Sequence, residues 1–271
     1  MALEIMQDPR VRSVEWKDLL HLSRWEVVKE LLLPLPWLGL SLWAFHLAAV
    51  HNPAWALLAL GGTFFFFLTG LRVVHNAYHY AVGVSKLGHE LIMFTLSCLM
   101  LGSMHAVMVN HLHHHKHCLD DDDMEAMSAK LSWWRALTLG PVFPYKIHVR
   151  AFELATPRIK RWIVAELIAN AIWIPVALFL VPSVAVKLFV VTMALGQCFT
   201  AFFAVWTVHN GCDENHFIGR IVWGRLKSFL TYNMFYHIEH YLYPSVPTCH
   251  LHTLGERLDQ SAPELQQKRV F

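Results

Sequence analysis

Two pairs of long apolar runs set the pattern of this chain. Leu31 to Val50 is twenty residues without a formal charge, and Ala54 to Leu71 is eighteen more. Between them, His51-Asn52-Pro53 reads as a tight polar turn. Leu167 to Val186 and Leu188 to Thr207 repeat the arrangement, with Pro182-Ser183 as the break. A helix needs roughly 20 apolar residues to cross a bilayer, so these runs predict four transmembrane helices in two hairpins. Pro34, Pro36, Pro175 and Pro182 fall near run ends or at kinks, where a lost backbone hydrogen bond is tolerated. A fifth run, Leu91 to Met104, has only fourteen uncharged residues and lies between His89-Glu90 and His105. That length predicts a re-entrant or interfacial segment over residues 87–108 rather than a crossing. The expected fold is an all-α integral membrane domain over residues 31–271, with a helical cap on one side and an N-terminal interfacial segment over residues 1–30.

Composition agrees with a membrane protein: 55% of the residues are hydrophobic and 15% charged, too apolar for an ordinary soluble domain. The net charge of +2 and the absence of a basic stripe exclude nucleic acid as a partner. Lysines and arginines gather before the first run, in the middle loop and after the last run, while the two hairpin turns carry none apart from Lys187 close to the second. The positive-inside rule then places both termini and the middle loop in the cytoplasm. Ser13 to Glu30, with Trp16, Leu19, Leu20, Leu22 and Trp25, is expected to lie on that interface as an amphipathic helix. The mixed polar start predicts no cleavable signal peptide. The five cysteines form no Cys-x-x-Cys pair, which argues against a disulfide framework or a cysteine metal site.

The candidate chemistry is in the histidines. Three tight clusters follow apolar stretches: His75 and His79; His111, His114 and His115; His237 and His240. His209 stands alone just past the fourth run. On a helix, positions i, i+3 and i+4 share one face, so each cluster can aim its rings at a common volume. Four crossings put all three clusters on one side; a crossing at 87–108 would separate the first from the second. Neutral imidazole is the commonest side-chain metal ligand. Eight imidazoles exceed the needs of one ion, so two ions are expected, and an all-nitrogen set suits zinc, copper, iron or nickel. His113 and His117 lie in the second cluster but off its face, as alternate ligands or outer supports. His89 and His105 flank the short run, and the remaining histidines read as packing or surface residues. Asp122, Asp123, Glu125, Glu239 and Asn233 are candidates for the outer shell, where a carboxylate commonly takes the second N–H of a ligating histidine.

Together, His75-Asn-Ala-Tyr-His79, His111-Leu-His-His114-His115 and Asn233-Met-Phe-Tyr-His237-Ile-Glu-His240 resemble the three histidine boxes of the membrane fatty acid desaturase superfamily. Related hydroxylases, alkane-type monooxygenases and carotenoid ketolases share these boxes. The third box with its tail, Tyr-His-Ile-Glu-His-Tyr-Leu-Tyr-Pro-Ser-Val-Pro, is the most specific piece, and His209 resembles the isolated histidine after the last span. The resemblance covers about Phe64 to Leu254. It implies a non-haem di-iron centre held by the eight histidines, dioxygen as oxidant, a lipid or fatty acyl substrate, and an external electron donor such as a ferredoxin, cytochrome or reductase. One position departs: the third box usually ends His-His, and here Tyr241 takes the last place. Water, His113 or His117, or Tyr241 itself as a phenolate would then fill the missing position. Desaturation of a fatty acyl lipid is the first expectation and hydroxylation of a lipid-like substrate the second. A histidine-rich metal transporter and an inactive membrane scaffold are the readings from other classes. Phe64 to Phe67, Trp133, Trp134, Phe202, Phe203 and Trp206 are candidates to line a substrate path.

Overall fold

A computed structural model of the chain describes residues 7–212, 219 and 224–264. Its described elements are helices joined by short turns. The first long one, α1 (Arg24–Leu32), begins at a capping box in which the Ser23 side chain accepts from Glu26 N and Glu26 reaches back to Ser23 N. The break at His21 to Ser23 leaves Lys17–Leu20 as a separate short turn, so the N-terminal segment is not the single amphipathic helix its composition suggested.

After Leu33 and Pro34 the chain enters α2 (Leu35–Val50), turns at Asn52 and Pro53, and returns as α3 (Trp55–Tyr78). These two helices pack closely because small residues face each other. A Cβ on Gly62 would stand 2.9 Å from the Ser41 backbone nitrogen. Ser41 Oγ lies 2.6 Å from Thr63 Oγ1, and Thr63 donates onward to the Ala59 carbonyl at 2.9 Å. Ser41 is therefore the donor of the pair, and both hydroxyls are satisfied without water.

Two helices follow with 112° between them, α4 (Lys86–Met100) and α5 (Met104–His117). The corner is Leu101 in the left-handed conformation, φ 60°, then Gly102 and Ser103, whose side chain caps α5 by accepting from Ala106 N. The sequence predicted no straight crossing over 87–108, and the chain is a bent pair there. Two short helices follow: α6 (Trp133–Leu139) packs on the later stretch Ala201–Trp206, and α7 (Phe143–Leu154) lies on α5, where Asn110 Nδ2 donates to the Ile147 carbonyl at 2.8 Å.

The last long pair is α8 (Pro157–Pro175), which ends in a π-turn over Val176–Leu180, and α9 (Val184–Gln197). Beyond α9 a second π segment, Ala201–Trp206, leads to Thr207–His209 with a 44° bend. The remaining described helices are α10 (Arg225–Leu230), α11 (His237–Leu242) and α12 (Leu251–Ser261).

Three helices are long and apolar enough to cross a membrane, Arg24–Val50, Trp55–Tyr78 and Pro157–Leu180, and each bent pair adds one more if it counts as a span. Leu57, Ile172, Phe179, Leu180 and Leu195 stand exposed on these helices, as lipid-facing residues do. The helix bounds correct the apolar runs in a consistent way. α3 continues past Leu71 to Tyr78, and α8 starts at Pro157 rather than Leu167, behind a Thr156 cap. The run to Val186 ends at Leu180 because Val181 turns extended and Ser183 caps α9.

Buried ion pairs sit where those runs stopped. Arg72, one residue past Leu71, pairs with Glu30 through Nε at 2.9 Å and through Nη2, and donates to the Tyr232 carbonyl at 2.7 Å. Glu166, one residue before Leu167, faces His105 Nδ1 at 2.7 Å and accepts from Ser103 Oγ at 2.5 Å. His105 Nε2 lies 2.6 Å from Glu90, which also takes Arg158 at 2.8 Å. The second network ties α4, α5 and α8 together directly under the corner that aims α5.

Candidate metal centre

Each histidine cluster owes its direction to a helix end. His75 is on the last turn of α3 and His79 is its C-cap. His111, His114 and His115 lie on the final turns of α5, held by the corner and the His105 network. His209 ends the helical stretch after α9, and α11 supplies His237 and His240. All eight rings meet.

They meet as two groups. His75, His79, His111 and His240 each offer a nitrogen, all within 4.8 Å of one another, and His114, His209 and His237 do the same. His115 stands beside the first group, its Nε2 3.1 Å from His111 Nε2 and 3.0 Å from His240 Nε2. His79 and His111 approach at 3.1 Å, and His209 and His237 at 3.0 Å, again Nε2 to Nε2.

Hydrogen bonding does not account for this arrangement. His111 Nδ1 lies 3.0 Å from Glu125 and His114 Nδ1 2.7 Å from Asp123. A carboxylate accepts, so each Nδ1 carries the proton and each inward Nε2 presents a lone pair. His114 Nε2 and His75 Nδ1 are buried without a hydrogen-bond partner among the described residues. A cation between the rings gives such lone pairs what neighbouring imidazoles do not. Burial works in the same direction: it holds His79 down at about 4, and burial reinforced by neighbouring imidazoles holds His237 and His240 well below their ordinary value. These three rings are therefore neutral at physiological pH, the state that ligates, whereas at His114 burial is outweighed by the hydrogen bond to Asp123 together with the charges of Glu125 and Asp123, which raise the ring. Glu125 is pushed up to about 7 by burial, while the His114 proton favours its charged form. The donor set fits two borderline transition-metal ions, one beside five imidazoles and one beside three.

The outer candidates divide. Asp123 and Glu125 touch ligand-bearing rings, as above. Asp122 does not: it pairs with His113 at 3.0 Å and Arg150 at 3.2 Å. His113 and His117 stack on each other on the outward side of α5 and do not enter the imidazole volume, because residues two apart on a helix face different ways. Neither can replace a missing third-box ligand from there. Asn233 sits in a turn with φ 59°, its N–H donating to the Ser228 carbonyl. Glu239 is buried on α11 between the two box histidines.

The Tyr241 ring stacks on that of His115 at 4.8 Å and lies 5.8 Å from that of His114 and 6.4 Å from that of His237, so it touches both groups. Its hydroxyl donates to the His114 carbonyl at 3.0 Å and the His115 carbonyl at 3.1 Å. Burial raises its pKa far above the ordinary phenol value, which favours the neutral phenol. The aromatic residues suggested for a substrate path are scattered: Phe66 is buried between the long helices, while Phe64, Trp133, Trp134 and Phe203 are exposed.

Sequence reasoning missed the supports: Glu30 and Arg72, joined by Asn76 and Thr248 at 2.6 Å, and the His105 network. The available signal was an ionisable residue at the edge of each apolar run, which is rarely idle in a membrane helix.

No curated protein and no solved structure gives a match to this chain. The family described as fatty acid desaturase matches residues 51–270, a stretch that holds every one of the eight convergent histidines. The chain belongs to the fatty acid desaturase family.

Proposed function

We propose that this protein is a di-iron membrane oxidase that desaturates the alkyl chain of a fatty acyl lipid, using dioxygen and electrons from a separate donor protein. The reading rests on the convergence of eight inward imidazoles, from helix ends far apart in sequence, at one end of apolar helices. Its topology is four crossings, with α4 and α5 re-entrant and both termini, the three histidine clusters and His209 on the cytoplasmic side.

His75, His79, His111, His115 and His240 would hold one ion, and His114, His209 and His237 would hold the other. Bound iron supplies the chemistry that removes hydrogen from an unactivated C–H bond, which acid–base side chains cannot do. The chain's own groups do the rest. Asp123 and Glu125 keep the protons of His114 and His111 on Nδ1, so Nε2 stays directed inward. Tyr241 fixes the end of α5 through two carbonyls. The apolar helices below present a lipid-soluble chain to the centre.

Purified protein is expected to carry about two irons per chain by elemental analysis; one zinc and no iron rejects the assignment. Lipid profiles of cells with and without the protein should differ by a new double bond. A new hydroxyl would make it a hydroxylase on the same centre. His114→Ala and His240→Ala should each abolish product while the protein still inserts, and full activity in either removes that residue from the centre.

A further inference from the structure

We propose a second, solvent-facing metal site built from His113, His117 and Asp122, which takes a zinc-class dication and is separate from the buried centre. His113 and His117 are one helical turn apart on α5, and their rings stack at 4.2 Å with 15° between planes. Asp122 comes back over them on the following loop, Oδ2 3.0 Å from His113 Nε2 and Oδ1 3.9 Å from His117 Nδ1. One ligand atom from each of the three lies within 4.8 Å of the others. Ligands on a tetrahedral zinc at about 2.1 Å stand about 3.4 Å apart, so a small closure of exposed side chains suffices. Asp120, 3.4 Å from His117 Nδ1, is a further oxygen at the same edge.

The donor set selects the ion. Two imidazoles and a carboxylate suit zinc or a similar borderline dication, whereas magnesium and calcium would want oxygens. The site is open where the buried centre is closed: the side chains of His117 and Asp122 are 43% and 49% exposed. Arg150 shares Asp122 Oδ2 at 3.2 Å and competes for it, which sets the affinity below that of a dedicated structural site. Asp122 is followed directly by Asp123, which orients His114 in the buried centre, and the two sites share no ligand.

The test uses iron-loaded, full-length protein in detergent, titrated with zinc, desalted and analysed for both metals. Wild type should take up about one zinc beyond its iron, and H113Q/H117Q should take up none with iron unchanged. Asp122→Asn, which leaves both rings in place, should lower zinc uptake as well, while His252→Gln on the exposed face of α12 should not. Equal zinc uptake by wild type and the double variant overturns the proposal. So does loss of iron in the double variant, which would assign these histidines to the buried centre. The count of additional zinc is independent of what the buried centre oxidises.

Discussion

Asp123 shows how one carboxylate sets the direction of a ligand. Its Oδ2 faces His114 Nδ1 and accepts from Leu119 N at 2.9 Å, and its Oδ1 accepts from Ala126 N at 3.1 Å. The backbone bonds immobilise the acid, and the acid fixes the ring. Asp123→Asn should weaken metal retention by roughly 10–100-fold, read as the chelator concentration that strips half the iron; unchanged retention would reduce Asp123 to a loop anchor. Tyr241→Phe separates two roles for the residue that departs from the third box. It should cost about 1 kcal/mol in unfolding and leave metal content intact. Loss of an ion from a folded variant would instead make the phenol a ligand. Seven of the eight inward histidines were legible because helical spacing puts them on shared faces, and His209 from its place just past the fourth apolar run. The fate of His113, His117 and Tyr241 was not, since spacing does not say where a loop carboxylate or a nearby carbonyl will draw a side chain.

At the scale of elements, apolar runs located the three helices long enough to cross a membrane but clipped one end of each at a charge. Those charges turned out to be buried and paired: Arg72 with Glu30, and Glu166 with His105. A hydropathy reading cannot see a partner on a distant helix, so it treats each charge as a boundary. Removing one member of such a pair leaves the other buried alone. Glu30→Gln should therefore destabilise the protein by about 3–5 kcal/mol, measured against wild type in the same detergent. A change near zero would mean that Arg72 finds water or another acceptor. The corner at Leu101 to Ser103 was foreshadowed only by the shortness of its run. Its 112° angle follows from a left-handed residue and a serine cap acting together.

For the whole molecule, segments early and late in the sequence are joined side by side. His250, beside α12, meets the Leu19 carbonyl at 2.8 Å and Glu26 at 3.2 Å, while Arg257 pairs with Asp18 at 2.7 Å. Cys249 beside it, then the Leu19 carbonyl and the Glu26 carboxylate, raise His250 to about 10. A raised folded-state value means this contact stabilises fully below the unfolded value and fades as pH rises through the folded one. The gap in thermal midpoint between wild type and His250→Asn should thus be widest near about pH 6 and close above about pH 10; a gap that widens with alkali reverses the sign. Composition and run lengths made a helical membrane domain legible, whereas this joining depends on contacts more than two hundred residues apart. The unequal division of imidazoles, five against three, has a consequence for how the protein ages. The poorer pocket should surrender its ion first, so gentle chelation ought to yield a discrete half-loaded species in native mass spectra before any bare polypeptide appears.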